Sequence, residues 1–276
     1  MPASLTLDDR QALLKIAIEL AERAGRDILT VVQSGRLGTR TKADQSPVTE
    51  ADLRSNEILL KGLGRASSDP IVSEESLDLV PKEIPWGRTR FWLIDPLDGT
   101  RDFIAGKKSY VVNVALIEGG RPVLGVVHAP ALRDTYWATA GGGAFKNGAR
   151  IANARSEQRD LIAYASGAPP TERSLDFMRR NAVAAVRPMG SAIKFCLVAE
   201  GLGDLYPRFG PTYEWDTAAG HAVLDEAGCR LLAIDSGEPL AYGKTDFLNG
   251  GFMALRADLG WANGAITKRH GARGAP

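Results

Sequence analysis

The chain opens with helical periodicity in its hydrophobic residues. Apolar positions over residues 13–32 recur every three or four places, which predicts a long amphipathic helix. Thr6 and Asp9 precede it with the spacing of a capping box, and Thr49 and Asp52 repeat that spacing ahead of a second helical stretch. The sequence therefore predicts two N-terminal helices with a loop or hairpin between them.

Short apolar runs separated by turn residues follow the second helix. Such runs are typical of strands, and Gly119-Gly120 and Asn147-Gly148 mark tight turns among them. The predicted strands cover residues 69–76, 91–94, 110–117, 122–128 and 135–139, with a loop over residues 77–90. This succession predicts a largely antiparallel sheet in the first half of the chain.

Strand and helix patterns alternate in the second half, and the end of the chain from Ala265 is expected to be frayed. The predicted strands cover residues 161–165, 204–209, 230–234 and 251–255, and the predicted helices cover residues 171–181, 193–200 and 211–227. This change of rhythm predicts an N-terminal α+β subdomain over residues 1–155 and a C-terminal α/β subdomain over residues 156–276.

Composition and charge argue against several classes of protein. At 276 residues, 44% hydrophobic and 24% charged, the chain has the make-up of an ordinary globular protein. The 34 basic residues balance 33 acidic ones, so the net charge of +1 gives no reason to expect a nucleic-acid polymer or a membrane surface as partner. Cys196 and Cys229 lack metal-type spacing and are expected to be reduced thiols, which favours a cytoplasmic location. No run suggests a signal peptide or an integral membrane segment.

The stretch from Phe91 to Thr100 carries the clearest chemical signal. An apolar run ends there in two carboxylates, a glycine and a hydroxyl. Asp95 and Asp98 are separated by two residues, so a tight turn would aim both carboxylates at one point, with the Leu97 carbonyl between them. Three hard oxygen ligands without His or Cys suit Mg²⁺. The sequence therefore predicts a magnesium site at the end of this strand.

Each acid of the candidate site also has a structural alternative. Asp95 and Asp98 are typical of a surface turn, and Glu74 lies in a loop whose charges water would solvate. Asp52 and Asp216 fall in the first turns of predicted helices, where carboxylates compensate the helix dipole. A different enzyme class would use Asp95 as the nucleophile of an aspartyl-phosphate phosphatase, but those enzymes carry Asp-x-Asp, and the spacing here is one residue longer.

Three acidic motifs follow one another along almost the whole chain. They are Ser73-Glu74-Glu75-Ser76, Asp95-Pro96-Leu97-Asp98-Gly99-Thr100 and Trp215-Asp216-Thr217-Ala218-Ala219-Gly220. In this order they resemble the inositol monophosphatase family of metal-dependent phosphatases. The resemblance implies a layered αβαβα sandwich with the site between the two subdomains. A silent metal-binding regulator, the non-enzyme alternative, would be expected to have lost one of the acids or Thr100, and all are present.

The resemblance also implies a set of metal ligands. Glu74, Asp95 and the Leu97 carbonyl would hold one Mg²⁺, and Asp95, Asp98 and Asp216 would hold a second; three ions per site are the alternative. Four carboxylates and two divalent ions carry equal and opposite charge. The loaded site would therefore accept a phosphate dianion that the acids alone would repel.

Catalytic roles are implied by the same resemblance. Asp52 would accept a hydrogen bond from the Thr100 hydroxyl and so orient the attacking water, which Glu74 would approach from the metal side. The amides of Gly99 and Thr100, and those that open the helix at Asp216, would donate to the substrate phosphate. No covalent intermediate is required.

Two further stretches narrow the resemblance to one branch of the family. Residues 190–201 and 204–212 are similar to the branch that hydrolyses 3'(2'),5'-bisphosphate nucleotides such as adenosine 3',5'-bisphosphate. The inositol branch normally lacks a lysine at the position of Lys194. Residues 166–169 lack the Ser-Arg-Ser-His type of sequence that the nucleotide branch usually carries. An inositol or sugar phosphate is therefore the alternative substrate.

Substrate contacts are expected at the helix that follows Gly190. Ser191 opens it, and Lys194 lies one turn later, where its ammonium would reach a phosphate that is not cleaved; Arg208 is the second candidate. The structural alternative for Lys194 is the solvated face of an amphipathic helix. The sequence thus predicts a small phosphate ester as partner and a monomer or homodimer, with peripheral membrane association left open.

Overall fold

A computed structural model describes residues 4–42, 45–81, 84–153, 160–166, 171–262 and 265–268. Its helices are α1 Leu7–Ser34, α2 Glu50–Ala66, α3 Thr100–Ile104, α4 Glu172–Arg180, α5 Ile193–Ala199 and α6 Ala218–Glu226. Its strands are β1 Arg40–Thr41, β2 Pro47–Val48, β3 Ile71–Ser73, β4 Phe91–Asp98, β5 Val111–Glu118, β6 Arg121–Ala129, β7 Asp134–Thr139, β8 Gly143–Lys146, β9 Ala149–Ile151, β10 Leu161–Ala165, β11 Val183–Pro188, β12 Leu205–Arg208, β13 Thr212–Tyr213, β14 Arg230–Ala233, β15 Leu248–Asn249, β16 Phe252–Leu255, β17 Leu259–Ala262 and β18 Ala265–Lys268. Short 3-10 turns cover Glu74–Leu79, Trp86–Arg88 and Glu214–Asp216.

Both N-terminal helices begin with the predicted caps. The Asp9 N–H donates to the Thr6 hydroxyl at 3.2 Å, and Thr49 and Asp52 form the same capping box at the start of α2. The short strands β1 and β2 pair between the two helices as an antiparallel ladder. The buried faces of α1 and α2 pack on β4, β5 and β6. No helix in the described ranges is long and apolar enough to span a bilayer.

Seven strands form a large sheet in the order β3-β4-β5-β6-β7-β8-β9, and every neighbouring pair except β3 with β4 is antiparallel. Alternate residues of a strand point to opposite faces. Trp92 and Ile94 therefore pack toward α1 and α2, whereas Phe91 and Leu93 pack toward α5 and α6. Because both faces are covered, the strands carry unbroken apolar runs in the sequence.

A five-stranded sheet in the order β11-β10-β12-β16-β14 lies on the other side of α5 and α6. Phe195 of α5 packs against Tyr206 and Phe252 of this sheet, with ring centroids 5.1 and 5.4 Å apart. Phe177 and Met178 of α4 cover its far face. The layers are therefore α1 and α2, the seven-stranded sheet, α5 and α6, the five-stranded sheet, and α4, which confirms the predicted αβαβα fold.

The helix that was predicted over residues 211–227 begins only at Ala218. Residues 214–216 form a separate 3-10 turn, because the Asp216 carboxylate accepts a hydrogen bond from the Tyr213 N–H at 2.8 Å and closes a short turn. The prediction that Asp216 lies in the first turn of an α-helix is therefore wrong.

Three other local predictions need correction, and three strands were not predicted. The strand that was predicted over residues 91–94 continues to Asp98, and residues 265–268 form a strand paired with β17 instead of a frayed end. The loop predicted over residues 77–90 contains the 3-10 turn Trp86–Arg88. The patterns of β8, β9 and β11 were too short or too exposed to be predicted.

Candidate active site

Asp95 and Asp98 reach the same point because β4 contains a bulge. Asp95 pairs with Asn113 and Asp98 with Val111, so three steps along β4 match two steps along β5. In a regular strand, residues three apart face opposite sides of the sheet. The bulge therefore replaces the tight turn that was predicted, and it keeps both carboxylates in a hydrogen-bonded strand.

A third carboxylate reaches this point from the C-terminal half of the chain. One carboxylate oxygen from each of Asp95, Asp98 and Asp216 lies within 4.8 Å of the other two. Asp95 is fully buried, whereas Asp98 and Asp216 are half-buried. The cluster offers only hard oxygen ligands, which suits Mg²⁺ better than a softer metal.

Burial and mutual repulsion raise the pKa values of these acids. The pKa of Asp95 lies well above its usual range because the group is buried and because Glu74, Asp98 and Asp216 are close. Burial and the Asp98 charge raise the pKa of Asp216 in the same way. Burial raises the pKa of Asp98 to about 6, although Lys194 acts in the opposite direction. A divalent cation among the three would offset this repulsion.

Glu74 lies beside the cluster and is held by a lysine from the segment after β1. Lys42 Nζ is 3.0 Å from Glu74 Oε1 and 2.6 Å from Glu75 Oε1. Burial raises the pKa of Glu75 to about 7 although Lys42 opposes the shift. Sequence reasoning did not find Lys42, because a lysine between two short strands carries no pattern that points to an acid 32 residues later.

Asp52 and Thr100 form the contact that the family resemblance implies. Thr100 Oγ1 lies 3.1 Å from Asp52 Oδ1 and 3.2 Å from the Leu97 carbonyl oxygen, and its single proton serves one of them at a time. The other oxygen of Asp52 accepts from the N–H and the hydroxyl of Thr49, at 2.8 and 2.6 Å. Asp52 is therefore both the helix cap and the partner of Thr100, two roles that the sequence presented as alternatives.

Gly99 brings the end of β4 close to the start of α5. Its φ of 95° lies in the region that favours glycine, and a Cβ there would lie 3.4 Å from the Cβ of Ser191. The Ser191 hydroxyl donates to the carbonyl oxygen of Ser109, and the Ala192 N–H donates to Asp98 Oδ2. The start of α5 is thus hydrogen-bonded to the carboxylate side of the site.

Lys194 is buried in the site, which rules out the solvated helix face. The side chain is 2% exposed, with Nζ 2.5 Å from the Ser191 carbonyl oxygen and 4.7 Å from the centre of the Tyr206 ring. Burial lowers its pKa to about 8 although Asp98 opposes the shift. The ammonium therefore sits in the same electrostatic environment as the carboxylates.

Arg208 lies in the wall of the same cavity, which measures about 140 Å³. Its Nη1 donates to Ser166 Oγ at 2.9 Å, and its Nε is buried without a partner among the described residues. The cavity is lined by Asp98, Ser166, Ser191, Ala192, Lys194, Phe195, Tyr206, Arg208, Thr212, Asp216, Thr217 and Phe252. Ser166 and Thr212 were not among the predicted site residues, and residues 167–169, where the sequence departs from the nucleotide-branch motif, lie outside the described residues.

Comparisons with known proteins agree with the geometry. The profile of the inositol monophosphatase family matches residues 9–267. The chain is 40% identical over 245 residues to the 3'(2'),5'-bisphosphate nucleotidase CysQ of Salmonella typhimurium, covering 87% of this chain and 98% of that protein. It is 36% identical over 240 residues to a histidinol-phosphatase of Mycobacterium tuberculosis, covering 80% and 87%. The crystal structure of CysQ from Bacteroides thetaiotaomicron superposes with a TM-score of 0.79 at 33% identity, covering 90% of this chain and 98% of that one.

Proposed function

The chain belongs to the inositol monophosphatase family, and we propose from that premise that it is a Mg²⁺-dependent 3'(2'),5'-bisphosphate nucleotidase, which removes the 3'-phosphate of adenosine 3',5'-bisphosphate. The observation that carries the proposal is that Lys194 and Arg208 line the same cavity as Asp98 and Asp216. A bisphosphate needs a metal site for the phosphate that is cleaved and fixed cations for the one that is not. The similarity to the Salmonella nucleotidase supports the same substrate class.

The carboxylates are proposed to hold two Mg²⁺ ions, one on Glu74, Asp95 and the Leu97 carbonyl and one on Asp95, Asp98 and Asp216. The donor chemistry fits, since the three clustered aspartates supply only hard oxygens, and burial together with neighbouring carboxylates raises their pKa values, which a bound cation would offset. When bound, the ions supply charge that activates the attacking water and offsets the phosphate and the leaving oxygen. Inhibition by Li⁺ is expected, because a monovalent ion would occupy such a position with less charge.

Asp52 and Thr100 are proposed to orient the attacking water, with Glu74 as the third catalytic group. Asp52 is fixed by Thr49, so it accepts the hydrogen bond of the Thr100 hydroxyl and leaves the oxygen of Thr100 free to accept a hydrogen bond from the water. The backbone amides of Gly99 and Thr100 are proposed donors to the phosphate. None of these contacts involves the leaving group, so they serve any phosphate ester.

Lys194 and Arg208 are proposed to select the bisphosphate, with Ser191 completing the cavity wall. A cavity of about 140 Å³ is smaller than the several hundred Å³ that usually enclose a whole drug-sized ligand. It therefore suits a phosphate group and its immediate surroundings, and the nucleoside would extend beyond it. The buried Lys194 ammonium and the half-buried Arg208 guanidinium in such a space favour a substrate with a second anionic group.

A phosphate-release panel tests this function. Adenosine 3',5'-bisphosphate, inositol 1-phosphate, fructose 1,6-bisphosphate and histidinol phosphate are compared in Mg²⁺ at equal concentrations. We expect kcat/KM for the nucleotide to exceed that for inositol 1-phosphate by about 10–100-fold, the effect of one charge-assisted hydrogen bond. A higher kcat/KM for an inositol, sugar or histidinol phosphate would assign the enzyme to that substrate instead, and full activity after exhaustive chelation would remove the metal mechanism.

The organisation around this activity is also a proposal. We infer two subdomains that divide near residue 155, with Asp216 and the cationic side chains in the second. A cytoplasmic location, a role in sulfur metabolism and a monomeric or homodimeric state fit the proposed substrate. Size-exclusion chromatography with light scattering would determine the oligomeric state.

A further inference from the structure

Asp216 differs from the other two clustered aspartates in what fixes its position. Asp95 and Asp98 belong to β4, which pairs with strands on both sides. Asp216 belongs to a three-residue turn between the two-residue strand β13 and α6. So short a turn has few backbone hydrogen bonds of its own, and other contacts must fix the direction of its carboxylate.

The Tyr213 N–H donates to the Asp216 carboxylate itself, and Glu214 connects the turn to a distant loop. The Glu214 carboxylate is completely buried and accepts hydrogen bonds from Gly243 N at 2.7 Å and Lys244 N at 3.0 Å, and Lys244 Nζ lies 2.5 Å from Oε1. The backbone N–H of Glu214 in turn donates to the Phe247 carbonyl oxygen at 2.8 Å. The residue two positions before Asp216 is therefore fastened to the loop over residues 243–247.

That loop is itself fixed from its other side. Gly243 has a φ of 87°, and a Cβ at this position would lie 2.7 Å from the backbone nitrogen of Gly87. Only glycine fits both the backbone conformation and the space. The backbone of Gly243 is thus packed against the 3-10 turn Trp86–Arg88. This packing fixes the position of the two N–H groups that donate to the Glu214 carboxylate.

We propose that Glu214 is a positioning residue for the second metal site, because it holds the turn that directs the Asp216 carboxylate toward Asp95 and Asp98. The proposal rests on the proposed metal-dependent function. Glu214 lines no part of the cavity that contains Lys194 and Arg208, and it acts only through Asp216. Groups that orient a metal ligand typically change metal affinity by about 10–100-fold when they are replaced.

Calorimetric titration with Mg²⁺ alone tests the proposal on the full chain. Glu214→Gln keeps the size of the side chain but removes the charge that accepts three donors. We expect Mg²⁺ to bind the variant about 10–100-fold more weakly than the wild type, and we expect phosphate release to recover toward the wild-type kcat as Mg²⁺ is raised.

Glu226→Gln is the matched control. Glu226 also accepts two backbone N–H groups, from Gly141 at 2.9 Å and Gly143 at 2.7 Å, but it lies at the far end of α6. Its replacement removes a carboxylate clamp of the same kind, so it controls for a general loss of stability. We expect its Mg²⁺ affinity to equal that of the wild type.

Two results would overturn the proposal. One is a folded Glu214→Gln protein that binds Mg²⁺ as tightly as the wild type, and the other is an equal loss of affinity in Glu226→Gln. If Glu214→Gln does not fold, Lys244→Met removes the ammonium from the same carboxylate, and unchanged Mg²⁺ affinity in that variant is equally contradictory. Failure of the proposed function can be distinguished from failure of this proposal. If the wild type binds Mg²⁺ but does not hydrolyse the nucleotide, the Mg²⁺ affinities of wild type and variants can still be compared.

Discussion

The two sides of the carboxylate site are built from different kinds of structure. On one side, Asp95 and Asp98 stand on a bulged strand inside a seven-stranded sheet. On the other, Asp216 stands on a 3-10 turn that the Glu214 side chain joins by hydrogen bonds to a loop some thirty residues later. The strand side is fixed by the fold itself, whereas the turn side is fixed by a few hydrogen bonds, and substitutions should therefore act differently on the two.

The two sides also carry opposite charge. The first contributes Asp52, Glu74 and the β4 aspartates, and the second adds Lys194 and Arg208 to Asp216. In the proposed function, the acids bind and cleave the phosphate, and the cations select the ester. Substitutions on the first side should affect all substrates, and those of the cations should affect only some.

The largest effect is expected for Asp98→Asn. This change removes a proposed ligand from the strand side, so kcat/KM for the nucleotide should fall on the order of 10³-fold, or about 4 kcal/mol, since a metal contributes several kcal/mol of charge stabilisation. Inositol 1-phosphate hydrolysis should fall in parallel. Steady-state phosphate release measures both, and Asp176→Asn, at an ion pair with Arg180 on α4, is the charge-matched control.

The same variant should be more stable than the wild type without metal. Neutralising Asp98 relieves repulsion with Asp95 and Asp216. A thermal melt in chelator measures this, and a lower Tm for Asp98→Asn would mean that the carboxylate supports the fold instead of straining it.

Thr100→Ala should lower kcat by about 10²-fold, the lower end of the range for a group that positions a proton transfer. The loss should be the same for nucleotide and inositol substrates, because the Thr100 hydroxyl contacts Asp52 and is proposed to orient a water that both reactions use. Thr100→Ser keeps the hydroxyl and should restore most of the activity. A serine variant as slow as the alanine variant would show that the methyl group, not the hydroxyl, is required.

Lys194→Met should distinguish the role of the cations from that of the acids, because it should affect one substrate and not the other. It removes a charge but keeps most of the volume of a side chain that is 2% exposed. The kcat/KM for adenosine 3',5'-bisphosphate should fall by about 10–100-fold, with inositol 1-phosphate nearly unchanged. Lys61→Met, at an exposed ion pair with Glu57, is the control. A parallel loss for both substrates would mean that Lys194 contributes to the hydrolysis of any phosphate ester and not to substrate selection.

The smallest effect is the change in stability between pH 5.5 and pH 7.5, which samples only part of the titration of Asp98 and is expected to be about 1 kcal/mol. Asp98 has a pKa of about 6 in the folded protein against 3.8 ordinarily, so the folded state holds its proton more tightly. That contribution, up to ~3 kcal/mol, is complete below about pH 4 and is lost as the pH rises through about 6. Without metal, Tm should therefore be higher at pH 5.5 than at pH 7.5, and Mg²⁺ should raise Tm more at pH 7.5. Equal Mg²⁺ shifts at both pH values would contradict the raised pKa.

The sequence predicts the strand side of the site well and the turn side poorly. Asp95 and Asp98 directly follow an apolar run, so neighbouring residues are enough to predict them as the end of a strand. Each capping box, at Thr6 and at Thr49, is likewise recognised from four consecutive residues. The bulge was not predictable, because it depends on the register with a second strand. The burial of Lys194 depends equally on packing between distant segments, which no local pattern records.

The contacts of Glu214 also could not be predicted from the local sequence. In the sequence Glu214 is one acid beside Trp215 and Asp216, and nothing there links it to Gly243 and Lys244. The link exists only once the loop is pressed against the turn Trp86–Arg88. Ligands can be predicted from motifs, but the residues that orient them are found from the fold.

The most direct test of a site shared by both halves is calorimetric titration of Mg²⁺ into the wild type, Asp98→Asn and Asp216→Asn. We expect two ions per wild-type chain, and we expect each variant to lose one site or to bind it more than about 10-fold more weakly. Wild-type stoichiometry and affinity in Asp216→Asn would contradict the account, because the C-terminal turn would then hold no metal.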